Sequence, residues 1–166
     1  MKTKIVSLLA SLLVASSLLA ANADPNLAKL EGFVGKWTCS GTDMSSGKSM
    51  ASWTSVNSRW GYDGKWVVVD LDQTKPMALK ATAFLGYDAG ARMYVLGYLD
   101  SMAGYGTAWS KGWDGNTMTF EGDMHMMGMA MKGRDVFVKD GMKLQHSVLV
   151  EEKGTWKKLM EETCSK

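Results

Sequence analysis

The chain has 166 residues, with 19 Lys and Arg against 17 Asp and Glu, two His, two Cys and 14 Met. So small an imbalance speaks against a nucleic-acid or membrane-surface partner, since both demand a basic patch, and no run of like charges supplies one. The length suits one domain with a sizeable core.

Lys2 and Lys4 precede an apolar run from Ile5 to Leu19 broken only by Ser and Ala, and Ala21-Asn22-Ala23 forms an A-x-A cleavage pattern. These are the parts of a secretory signal, predicted over residues 1–23, with a mature domain over 24–166. The run is shorter than the ~20 apolar residues of a membrane span. No stop-transfer pattern follows it, and no Cys near the cleavage point offers a lipid anchor. The mature protein is therefore expected in the periplasm or outside the cell, without a membrane anchor. Loss of Lys2 and Lys4 leaves it with 17 bases and 17 acids.

Asp24 to Gly35 is the one stretch with helical spacing: Leu27, Leu30, Phe33 and Val34 recur on one side, after Pro25 and before Gly35. Beyond it, β-prone runs alternate with turn residues at Ser46-Gly47, Asp63-Gly64, Asp88-Ala89-Gly90, Asp114-Gly115-Asn116, Asp140-Gly141 and Lys153-Gly154. Asp-Gly between apolar alternations signals a hairpin, because those turns need positive φ. The runs are Lys36–Thr42, Lys48–Ser58, Lys65–Leu71, Ala78–Gly86, Arg92–Leu99, Tyr105–Gly112, Thr117–Glu121, Ala130–Lys139, Met142–Glu151 and Thr155–Thr163.

Alternation assigns faces. In the run after Gly141, Met142, Leu144, His146, Val148 and Val150 share one side, and Lys143, Gln145, Ser147 and Glu151 the other. Such a half-wet meander closes into a barrel or folds into a sandwich. Cys39 and Cys164 favour closure. An exported chain makes a disulfide their default, and they sit in the first and last strands, which are neighbours in an up-and-down barrel. The expected fold is all-β: a single antiparallel barrel of about ten strands with a short N-terminal helix.

Leu27-x-x-Leu30-x-Gly32 and Gly35-x-Trp37-x-x-x-Gly41 resemble the opening of calycin-like barrels, in particular the nitrobindin-like and fatty-acid-binding-like families. The middle of the chain is closer to a bacterial family known only as a domain of unknown function, family 1579. The matching residues there are Leu85-Gly86-Tyr87-Asp88, Tyr94, Asp100-Ser101-Met102, Trp109, Gly112, Met118-Thr119, Glu121-Gly122 and Gly133-Arg134-Asp135-Val136. The resemblance implies a calycin-like barrel. Nitrobindin-like barrels bind haem through a histidine near the C-terminal end, whereas the last run here, from Trp156 to Glu162, holds no His. Fatty-acid-binding barrels hold an anionic head group with an interior Arg, a role the resemblance offers to Arg134.

Three groups of residues stand out. Asp123 to Met131 packs five Met and one His into the eight positions from 124. Thioether and imidazole suit soft Cu(I), and thioethers survive in an oxidising compartment. If the stretch is extended, His125, Met127, Met129 and Met131 face one way. Met is also a general gap-filler, used throughout this chain. Arg134 shares a face with Val136 and Val138, so it either anchors an anionic ligand inside or pairs with an acid at the mouth. His146, on the apolar face of its run, is either a satisfied core residue or a ligand contact. Tyr98 and the tryptophans, Trp109 among them, either line an apolar pocket or fill the core. Trp37 is expected on the barrel floor.

No catalytic motif is present, and no cofactor is expected beyond the copper alternative. Three functions fit: a binding protein for a small apolar or lipid-like ligand, with Arg134, Trp109, Tyr98 and His146 at the site; a Cu(I)-binding protein; and a solidly packed scaffold.

Overall fold

Strand ends fall where the chain offers turn residues, and the hairpins between them build one continuous sheet. The computed structural model describes residues 24–126 and 128–166. The predicted signal segment and Met127 lie outside the described residues.

The strands are β1 (Gly35–Asp43), β2 (Met50–Gly61), β3 (Trp66–Lys75), β4 (Leu79–Asp88), β5 (Met93–Asp100), β6 (Tyr105–Ser110), β7 (Trp113–Asp114), β8 (Thr117–Met126), β9 (Met129–Asp140), β10 (Lys143–Glu152) and β11 (Thr155–Ser165). Their order around the sheet is β6-β5-β4-β3-β2-β1-β11-β10-β9-β8, and a β6–β8 ladder closes it. Ten strands thus form an antiparallel barrel, and the two-residue β7 only flanks β8. A closed barrel leaves no sheet edge for another chain to pair with. Of the two outcomes left open by alternation, the sandwich is the one this ladder removes.

The main departure lies in β8. Its run was expected to end at Glu121, yet the strand continues to Met126 and turns at Gly128, whose φ of 78° suits glycine. No Asp-Gly or Asn-Gly pair marks that turn, so turn chemistry alone missed it.

Strand direction fixes two different ends. The N-terminal segment, the 61–66 and 88–93 turns, the β6–β8 connection and the 140–143 turn lie at one end. The 43–50, 75–79, 100–105, 126–129 and 152–155 turns lie at the other. The first end is plugged. The expected helix appears as α1 (Pro25–Ala28) followed by a 3-10 turn, η1 (Glu31–Phe33). Asp24 caps α1 by accepting from the Asn26 amide at 2.9 Å, and Pro25 occupies the first turn, where its missing N–H costs nothing.

So short a helix has little stability of its own, and aromatic donors hold it in place. Trp37 donates to the Phe33 carbonyl at 3.0 Å, Trp113 to the Lys29 carbonyl at 3.1 Å, Tyr94 to the Asn26 carbonyl at 3.1 Å, and Trp60 to the Glu31 carboxylate at 2.8 Å. Leu27, Leu30 and Phe33 insert into a core with Trp37, Met118 and Phe120. Trp37 therefore packs on the barrel floor.

Candidate functional site

Above that floor the barrel is hollow. A cavity of about 500 Å³ occupies the lumen, within the size range of small-molecule sites. It exists because inward positions are small where bulk would fill it: Ala81 and Ala83 on β4, Gly106 and Ala108 on β6, Gly122 on β8 and Gly133 on β9 all line it. A Cβ at Gly133 would lie 2.6 Å from the Met124 sulfur, so any larger residue there would push that flexible side chain aside. The rest of the wall is mainly aliphatic and aromatic, including Val56, Leu71, Leu96 and Phe137. The lumen opens at the end away from the plug, where Met77 and Met102 both line it and reach solvent.

Polar side chains interrupt this apolar wall, and two groups of them are tied together by hydrogen bonds. On β9 and β10, His146 Nε2 lies 2.9 Å from Asp135 Oδ1, and the imidazole stacks on Phe137 with centroids 4.4 Å apart and planes 5° from parallel. Next to His146 across the β10–β11 ladder is Glu162, 3 % exposed. Ser52 and Thr54 donate to its carboxylate, Thr54 at 2.9 Å. On β5, the Tyr98 hydroxyl donates to Asp100 at 3.1 Å. Asp100 is fixed in turn by the Met102 and Gly104 amides, each at 2.8 Å. Burial, followed by the charges of Asp100 and then Asp135, holds the Tyr98 phenol well above its ordinary range. Tyr98 is thus kept as a neutral donor.

Tyr98 and His146 therefore both face the lumen. The other two residues expected there do not. Arg134 lies on the outer face, where its Nε donates to Glu121 at 2.7 Å and its guanidinium covers the Trp156 ring at 3.9 Å. Alternation decides this: Gly133, Asp135 and Phe137 turn inward, so Arg134 turns out. The interior position next to it therefore holds a carboxylate, Asp135, bonded to His146. Trp109 is also outside, 38 % exposed, on the face of Glu121. No interior arginine of the fatty-acid-binding type is present among the lining residues.

The Met-rich segment is a hairpin rather than one extended strand. In its register Met124 pairs with Met131, His125 with Ala130 and Met126 with Met129. Paired residues share a face, so His125 lies opposite Met129 and Met131. It stacks outside on Tyr105, at 4.4 Å and 9°. Met129 sits at the turn and is 59 % exposed. A different methionine set converges instead: Met77, Met102, Met124, Met126 and Met160 line the mouth of the lumen from separate strands and loops. Linear clustering pointed at the segment but could not show that remote methionines join it.

The haem ligand suggested by nitrobindin-like barrels has no counterpart on β11, which carries no His. His146 is on β10, bonded to Asp135 and stacked on Phe137. The residues present do not fit that mode of haem ligation.

Comparison with known proteins agrees with the fold. The crystal structure of Rv2717c from M. tuberculosis aligns over 87 % of this chain and 99 % of its own, with a TM-score of 0.64 and 11 % identity. At that identity the likeness concerns architecture alone. No curated protein matches the sequence. A family model described as "Protein of unknown function (DUF1579)" matches residues 24–166.

Proposed function

We propose a binding function for this chain, which belongs to the DUF1579 family of proteins of unknown function. The barrel takes one small, largely apolar molecule into its lumen. The observation that carries this reading is the cavity of about 500 Å³, walled mainly by apolar side chains and open at one end. Water against the apolar part of the wall has few partners, so replacing it there with hydrocarbon is favourable, at roughly 25 cal/mol per Å² of apolar surface removed from water. The disulfide supports work in the periplasm or outside the cell, where such bonds persist. In that setting the domain acts after removal of residues 1–23.

Titration with the neutral fluorophore N-phenyl-1-naphthylamine tests the reading. One saturable site is expected. Ala81→Phe, which puts a ring into the lumen, weakens it about tenfold or more, a loss of about 1.4 kcal/mol. Arg134→Ala, on the outer face, leaves it unchanged. Absence of saturable binding, or binding indifferent to Ala81→Phe, overturns the proposal.

A second reading is favoured by the thioethers at the mouth. Met124 and Met126, with Met77, Met102 and Met160 nearby on the lining, supply the soft donors that Cu(I) prefers. In competition with a Cu(I) chelator, Met124→Leu with Met126→Leu is expected to lower retention of the ion about tenfold. Equal retention by the variant removes this reading.

A further inference from the structure

The lumen is one-signed. Asp100, Asp135 and Glu162 line it, Asp43 adds a carboxylate at the mouth, and no Lys or Arg is among its lining residues; Asp123 also lines it, but its exposed carboxylate is paired with Lys132. Hydrogen bonds from neutral donors orient these groups: Glu162 accepts from two hydroxyls and Asp100 from a phenol and two amides. Among the described residues neither Asp100 nor Glu162 forms an ion pair, and Asp135 has only His146. Carboxylates of one sign within low-dielectric walls focus a negative potential into the space between them.

A second observation is independent of charge. Gln73, 8 % exposed, lines the lumen beside Thr54, yet its amide forms no side-chain hydrogen bond among the described residues. Among the described residues no sealed side-chain nitrogen or oxygen lacks a partner, so the unpaired atoms of this amide open onto the lumen and are free to meet what enters it. The rings of Tyr98 and Phe137 also line the space, and aromatic faces attract ammonium groups.

We infer that the ligand is an organic cation, an apolar body bearing a protonated amine that sits among Asp100, Asp135 and Glu162 while its polar neighbours meet Gln73. Among the described residues no three carboxylate, imidazole or thiolate groups gather closely enough to share one metal ion. The negative charge is spread along the wall, which suits an organic ammonium better than a bare metal ion. The same charge repels a fatty-acid carboxylate. This inference rests on the binding function proposed above and adds the class of ligand.

Displacement of N-phenyl-1-naphthylamine by decylammonium, decanol and decanoate separates the two claims, because the three share one chain and differ in head group. Decylammonium is expected to compete at least about tenfold better than decanoate. Asp100→Asn combined with Asp135→Asn removes that preference while decanol competes as before, which also shows that the variant is folded. Decanoate competing as well as decylammonium overturns the cation assignment and leaves the binding function standing. So does a preference that survives the double variant. Failure of the fluorophore and all three competitors to bind overturns the binding function itself.

Discussion

Replacing Cys39 and Cys164 together with alanine is expected to lower the unfolding free energy by about 4 kcal/mol. The bond spans 125 residues, and in the chain-entropy model a loop of about 100 residues is worth roughly 4.7 kcal/mol. Its place in the sheet strengthens the argument. Most strand pairs here are hairpins whose turns fix the register, but β1 and β11 come from opposite ends of the chain. Cys39 and Cys164 are direct partners in that ladder and fix the register there covalently. The strands also approach closely at Gly41, where an added Cβ would strike the Glu161 carbonyl. Both sulfurs lie in the buried core, so the double substitution is a cleaner test than added reductant. Urea unfolding followed by tryptophan fluorescence reads the loss. The slope is expected to rise as well, since the unlinked denatured chain exposes more surface. A loss below about 1 kcal/mol would mean that the β1–β11 hydrogen bonds hold the seam alone.

Much of this architecture was legible because hairpins are local. Period-two alternation and Asp-Gly pairs located the strands, and the positions of the two cysteines anticipated the seam. The lumen was harder to read, since a cavity is a property of facing walls. Its best signal was the small inward residues, Ala81, Ala83, Gly106, Gly122 and Gly133, which read as weak strand positions until the barrel stacks them together. The lumen-facing side of His146 is legible from the apolar alternation of its run, whereas both faces of the Tyr98 run carry bulk and only the closed barrel turns Tyr98 inward. The facing of Arg134 was not legible, because Asp135 and Phe137 next to it differ in polarity yet share the interior. That inversion, a carboxylate inside and a guanidinium outside, changes the ligand chemistry from anion to cation. The methionines of the mouth come from four separate stretches of chain, so no linear window contains them.

Phe120→Ala is expected to cost about 4 kcal/mol, within the range for deleting a buried aromatic ring. Phe120 is fully buried on β8, and its ring lies 6.2 Å from Phe137 at 87°. Phe137 meets Phe33 of the plug edge-on at 5.1 Å and stacks on His146 at 4.4 Å. It is therefore the partition between packed floor and open lumen, with Phe120 bracing it from the core. Alanine at 120 leaves a void beside the Phe137 ring. The stability loss should appear in urea unfolding, while Phe120→Leu, which keeps most of the volume, should lose much less. Ligand binding supplies a second readout. An apolar chain gains room if Phe137 tilts into the void, so decanol should bind Phe120→Ala at least as well as the parent, despite the weaker fold. A loss of decanol binding with stability intact would place the support of the lumen elsewhere than in this ring stack.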